Sequence, residues 1–154
     1  MSTHADPRLS ALALWLEATL GTTAFVLAPA SADASFRRYF RATLAAGHAL
    51  APGTRTLIVM DAPPPMEDCR PFVRVAGLLQ AAGVHAPVVL AQDLARGFLL
   101  LSDLGTTTYL AALDAATARP LYLDAIDALI RFQVASRPGE LPAYDEALLR
   151  RELD

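Results

Sequence analysis

Gly97-Phe98-Leu99-Leu100-Leu101-Ser102-Asp103-Leu104-Gly105 divides the chain. Phe98–Leu101 is an unbroken apolar run of strand length, and Asp103–Gly105 closes it with turn-forming residues. Upstream, Val88–Gln92 reads as another strand, joined to this one by the turn Asp93–Gly97. Before that lies a helix, Glu67–Ala82, with Phe72, Val75, Ala76 and Leu79 three and four residues apart and Gly83 at its end. Pro63-Pro64-Pro65 separates it from the strand Thr56–Met60. Ala45–Thr54, with Gly47, Pro52 and Gly53, is a hairpin loop, and Phe36–Leu44 and Phe25–Ala28 are the strands before it. Ala30–Ser35 is a turn of small residues. The chain opens on a helix, Pro7–Leu20, with Asp6 as N-cap, Gly21 as stop and Leu9, Leu12, Leu16 and Leu20 along one side. Downstream of Gly105 the pattern is helical only: Thr106–Ala115, Leu121–Val134, a break at Arg137-Pro138-Gly139, then Glu146–Asp154 opened by Asp145.

This order predicts an α+β fold: a five-stranded, mainly antiparallel sheet with the 67–82 helix packed on it, followed by the first helices of a helical region. The boundary falls at Asp103–Gly105, giving a small lobe over 1–104 and a second region over 105–154.

Composition excludes several classes of protein. With 54% hydrophobic and 19% charged residues among 154, the chain must bury a core. A net charge of −3 argues against nucleic acid as the main partner. All 13 basic residues are arginines, so chemistry that needs an ammonium group finds none here. The single Cys69 permits no internal disulfide, which fits a reducing cytoplasm. No segment suits a membrane: Leu9–Leu20 carries Glu17, and Ala18–Ala32 is broken by Gly21 and Pro29. His4, His48 and His85 are scattered and show no catalytic pattern.

Several stretches carry a family resemblance. They are Ala32-Asp33-Ala34-Ser35-Phe36-Arg37-Arg38-Tyr39-Phe40-Arg41, Leu57-Ile58-Val59-Met60-Asp61-Ala62-Pro63-Pro64, Glu67-Asp68-Cys69-Arg70-Pro71-Phe72, Val88–Asp93, Gly97–Gly105 and Tyr144–Leu153. Together they resemble the aminoglycoside-phosphotransferase family, whose fold is protein-kinase-like. Within it they are most similar to the bacterial kinases that phosphorylate the anomeric position of N-acetylmuramate and N-acetylglucosamine in cell-wall recycling. The resemblance implies ATP and Mg²⁺ as cofactors, an amino-sugar substrate, and a small lobe that holds the nucleotide.

It also implies a site. The turn Ser31, Ala32, Asp33, Ala34 and Ser35 would lie over the phosphates, where small residues let backbone N–H groups approach. Arg37, Arg38 and Arg41 follow. A strand sends Arg37 and Arg41 to one face and Arg38 to the other, and guanidinium groups bind phosphate bidentately. Which of them faces the cleft is open. Kinases carry a Lys on the third strand; Met60-Asp61 stands in that neighbourhood, so an arginine substitutes or the role is redistributed. Asp61 would accept from such an arginine or from a sugar hydroxyl, or cap the Pro63 turn. Glu67 or Asp68 would begin the helix, as caps or as an acidic partner. Ser102, Asp103 and Leu104 would form the hinge that holds adenine through backbone groups.

The family's H-x-D-x-x-x-x-N loop, with its proton-accepting Asp and Mg²⁺ ligands, is absent from these 154 residues. The chain therefore reads as the N-terminal, nucleotide-binding part of a longer kinase, inactive by itself, with its metal ligands elsewhere. The apolar sides of its last two helices, among them Leu121, Ala125, Ala128, Leu129 and Phe132, then Leu148, Leu149 and Leu153, are expected to pack against the rest of the kinase, and without it to pair with another copy of the chain or to be poorly ordered. Two alternatives stay open: an aminoglycoside phosphotransferase, and a stand-alone non-catalytic ligand-binding module.

Overall fold

The computed structural model describes residues 6–32, 35–64 and 66–153. The elements are α1 (Pro7–Leu20), β1 (Phe25–Ala32), β2 (Arg38–Leu44), β3 (Thr56–Asp61), α2 (Arg70–Ala81), β4 (Val89–Asp93), β5 (Phe98–Ser102), α3 (Tyr109–Ala112), α4 (Ala118–Ala135) and α5 (Glu146–Leu153). The five strands form one sheet in the order β1-β2-β3-β5-β4, and every pairing is antiparallel.

The apolar run of β5 has a simple cause. Both faces of the sheet are covered, so successive side chains enter different cores. Phe98 and Leu100 join Leu57, Val59, Phe40 and Ala42 beneath α1, which contributes Leu12, Trp15, Leu16 and Leu20. Leu99 and Leu101 join Met60, Ala62 and Cys69 on the other face, where Phe72 and Val73 of α2 pack. Leu12 and Leu16 are fully buried. Each contributes roughly 1.5–3 kcal/mol through the apolar surface it removes from water. The helix α1 is thus half of the sandwich. Asp6 caps it by accepting from the N–H groups of Arg8 and Leu9.

β1 carries Pro29, which cannot donate to a ladder, and it lies at the sheet edge with a register shift between Pro29 and Ser31. At the β4–β5 turn, Gly97 has φ +74° and sits so close to the chain that an added Cβ would lie 1.8 Å from the Ala62 carbonyl oxygen. Its own carbonyl accepts from the Ala62 N–H at 2.8 Å.

Several boundaries differ from the sequence reading. β1 continues through Ser31 and Ala32, because both find partners on β2. β2 begins at Arg38 and not at Phe36. α2 begins at Arg70, so Glu67 and Asp68 precede it; Asp68 accepts from the Arg70 N–H at 2.9 Å. α3 shrinks to four residues. Asp114 collects the N–H groups of Ala116 and Thr117 at 2.8 Å, and so turns the chain before α4.

On α4, Leu121, Ala125, Ala128 and Phe132 are half-buried within the chain, whereas Leu129 is exposed together with Tyr122, Ile126, Ile130 and Val134. Among the described residues, no helix is long and apolar enough to cross a membrane.

Candidate functional site

The face of the sheet that carries α2 also carries a cavity of about 480 Å³ beside the β5–α3 junction. This volume is in the range of small-molecule sites. Tyr39, Ile58, Phe72 and Leu101 supply apolar walls, and Ser102 to Thr106 close one end. Register explains the lining. Arg41 pairs with Ile58, and Ile58 with Leu101, so all three point the same way.

Residues 102–105, the hinge expected from the sequence, form a braced segment at the end of β5. The Ser102 N–H donates to the Val88 carbonyl, and its Oγ accepts from the Val88 N–H, both at 2.9 Å. Ser102 is thereby committed to Val88, the residue before β4. Arg41 donates to Asp103 through Nε at 2.7 Å and Nη2 at 3.2 Å, and Nη2 also reaches the Gly105 carbonyl. The Gly105 N–H donates to Asp103 at 2.9 Å. The Arg41 guanidinium beside Asp103 holds its carboxyl below the ordinary range against the opposing effect of burial, with help from the Gly105 N–H and the Thr56 hydroxyl. Between these fixed points, the N–H and C=O of Leu104 have no partner among the described residues.

Arg38 and Asp61, candidates for the nucleotide side in the sequence, stand on the face of the sheet opposite the cavity. Asp61 is fully buried under α1. Arg8 Nε donates to its Oδ1 at 2.6 Å, and Arg38 donates to its Oδ2 through Nε at 2.9 Å and Nη2 at 2.5 Å. The Nη1 of Arg38 is bound by Asp6. The group is a clasp between the start of α1 and the ends of β2 and β3. The physical reason is strand alternation: Asp61 falls on the side of Leu57 and Val59, and Arg38 on the side of Phe40. On the cavity face, β3 ends instead in Met60, which is buried and uncharged.

Arg37 lies on the cavity side, beyond Tyr39. Its Nε donates to Glu67 Oε2 at 3.1 Å, and the other oxygen of Glu67 accepts the Phe36 N–H at 3.2 Å. Glu67 therefore fastens the start of β2 to the segment before α2, a role beyond helix capping. Ser35 Oγ accepts from the Arg37 N–H at 3.2 Å. Ser31 and Ala32 are backbone partners in β1. Asp33 and Ala34 lie outside the described residues.

Sequence reasoning missed Arg8, and it offered Glu67 as a cap or an acidic partner without identifying Arg37 as the residue it meets. Arg8 and Asp61 are separated by 53 positions and Arg37 and Glu67 by 30, and no local pattern couples them. His48 is structural, with Nε2 against the Leu20 carbonyl and Nδ1 accepting from the Leu50 N–H. Among the described residues, no three His, Cys, Asp or Glu side chains gather to hold a metal ion. They do not fit the Mg²⁺ that the resemblance implies. A second cavity, of about 400 Å³, lies between the end of α2 and residues 132–141. Its Arg137 is turned onto the carbonyls of Val134, Ala135 and Ser136.

Comparison with known proteins gives one consistent result. The profile of the phosphotransferase enzyme family matches residues 26–154. A Pseudomonas aeruginosa protein named N-acetylmuramate/N-acetylglucosamine kinase is 55% identical over 96% of this chain and 44% of its own length. Proteins of the same name from Pseudomonas putida and Neisseria meningitidis are 50% and 40% identical, over 97% and 91% of the chain. The chain thus spans less than half the length of these curated relatives.

Proposed function

The chain belongs to the phosphotransferase enzyme family, and from that premise we propose that it is the nucleotide-binding lobe, residues 1–104, and the first helices, residues 105–154, of a small-molecule kinase. The enzyme transfers the γ-phosphoryl group of ATP to a sugar hydroxyl. The substrate class is an amino sugar, N-acetylmuramate or N-acetylglucosamine, phosphorylated at the anomeric hydroxyl in cytoplasmic cell-wall recycling. The relatives' names support the sugar; the anomeric position rests on the resemblance of the sequence motifs.

One observation carries the nucleotide reading. An apolar cavity ends at a hinge whose Leu104 offers an N–H and a C=O with no partner among the described residues. An adenine ring presents a donor beside an acceptor along one edge, so it can take both while its faces lie against apolar walls. The Arg41–Asp103 pair fixes the hinge before the ligand arrives, and such preorganisation lowers the cost of binding. The proton-accepting and metal-holding groups of phosphoryl transfer have no counterpart among the described residues. The 154-residue chain alone is therefore proposed to bind nucleotide weakly and to turn over no sugar.

The test is a phosphorylation assay on the protein at its natural length, with ATP, Mg²⁺ and each sugar, and with the product identified by ³¹P NMR. An anomeric sugar phosphate is expected. Phosphorylation of an aminoglycoside but of neither amino sugar would overturn the substrate, and turnover by the 154-residue chain alone would overturn the division of labour.

A further inference from the structure

The three arginines around β2 differ in how far their donors are spent. Arg38 is saturated: Nε, Nη1 and Nη2 all face the carboxylates of Asp6 and Asp61, on the α1 side of the sheet. Arg41 is turned to the hinge, with Nε and Nη2 on Asp103 and Gly105. Arg37 is different. Only its Nε meets a carboxylate, and among the described residues neither terminal nitrogen donates to a carboxylate or a carbonyl. Its side chain is one-third exposed, while that of its partner Glu67 is 12% exposed. One side of the guanidinium is thus anchored by Glu67, and among the described residues the terminal nitrogens have the Tyr39 side chain near them but no carboxylate or carbonyl.

Position adds to this. Arg37 precedes β2 by one residue and shares the parity of Tyr39 and Arg41, both of which line the cavity. Four residues of extended chain separate Arg37 from Arg41, about 13 Å at roughly 3.3 Å per residue. A ligand whose base sits at the hinge near Leu104 would run beneath Tyr39 with its far end toward Arg37. The cavity face of β3 offers no cation there, since Met60 occupies its end. Burial works against the charge on Arg37, but Tyr39 and Glu67 more than offset it, so the guanidinium stays cationic.

We propose that Arg37, oriented by Glu67, supplies the positive charge that contacts the polyphosphate of the bound nucleotide. This rests on the nucleotide reading given above. Arg37 is the contacting group and Glu67 a positioning residue. Glu67 holds both the guanidinium and the Phe36 N–H, so the carboxylate fixes the side chain and the backbone that carries it. Arg38 and Arg41 are occupied elsewhere.

The experiment compares ATP with adenosine, which keeps the base and lacks the phosphates, by calorimetric titration of the protein at its natural length. Arg37→Ala is expected to weaken ATP about ten- to hundredfold, the size of one or two charge-assisted hydrogen bonds, and to leave adenosine unchanged. Arg37→Lys restores part of the loss. Glu67→Gln weakens ATP by less than Arg37→Ala, and combining the two adds little to Arg37→Ala alone. Arg38→Lys keeps the wild-type ratio of the two affinities. If circular dichroism shows that Arg37→Ala is unfolded, Arg37→Gln carries the same expectation. A wild-type ratio of ATP to adenosine affinity in the folded Arg37 variant would overturn the proposal and leave the nucleotide reading intact. A wild-type protein that binds neither compound would overturn both.

Discussion

Arg41 of β2 grips Asp103, just past the end of β5, with Nε on one carboxylate oxygen at 2.7 Å and Nη2 on the other at 3.2 Å. The pair ties the second strand of the sheet to the segment leading into the helices, across 62 positions of sequence. Asp103 is almost fully buried and Arg41 about one-quarter exposed.

Breaking this pair should loosen the hinge without dissolving the sheet. Asp103→Asn is expected to cost about 1–3 kcal/mol in urea unfolding and to weaken adenosine and ATP alike. The pH dependence follows from the sign of the shift. Arg41 holds the Asp103 carboxyl below its ordinary value of 3.8, so the unfolded chain binds its proton more readily. The contribution is complete above about pH 3.8 and is lost as pH falls through the lower folded value. The stability gap between wild type and Asp103→Asn should stay constant from pH 7 to pH 5 and narrow only in stronger acid. A gap already closing at pH 6 would show that the pair is not its source.

Asp61→Ala should be more damaging, because it strands Arg8 and Arg38 at the root of α1. A loss of about 3 kcal/mol is expected from removing one side of a buried ion-pair group. Arg8 and Arg38 keep some access to water, 29% and 38%, which holds the figure at the lower end for such changes. Denaturant unfolding measures it; a loss below about 1 kcal/mol would mean that α1 is held by its apolar face alone.

Gly97 and Gly83 separate two effects of a positive φ. Both adopt it, at +74° and +70°, but a Cβ at Gly83 meets nothing within 4 Å, whereas at Gly97 it runs into the Ala62 carbonyl. Gly83→Ala should cost about 1–2 kcal/mol of conformational strain. Gly97→Ala adds a backbone collision and should cost clearly more, with loss of the Ala62–Gly97 hydrogen bond. Equal melting temperatures for the two variants would contradict this packing.

Cys69 should be chemically quiet. Burial pushes its thiol above the ordinary range, outweighing the nearby Arg37, and only 3% of the residue is exposed. The thiolate is the reactive form. Iodoacetamide at pH 8 is therefore expected to modify Cys69 far more slowly in buffer than in urea. Similar rates in both would place the thiol at the surface.

The sequence by itself determined the list of elements and their class. Phe98–Leu101 is apolar at every position, and Asp6 with Pro7 starts a helix. These are local facts of sterics, hydrogen bonding and period, legible within a few residues. The family motifs were legible for the same reason. Helix ends were read less well: Thr106–Ala115 yielded four helical residues because Asp114 and Thr117 offer the backbone a competing set of hydrogen bonds.

Only the tertiary structure decided which face each charge occupies and which partner it meets. Alternation put Arg38 opposite Arg37 and Arg41, but nothing local said which face would be roofed by α1 and which would border the cavity. That choice sent Asp61 and Arg38 into the clasp with Arg8, left Met60 on the cavity face, and gave Arg37 to Glu67. An ion pair forms between side chains that the packed sheet brings within a few ångströms, whatever their separation along the chain, and so it becomes visible only once the strands have their neighbours.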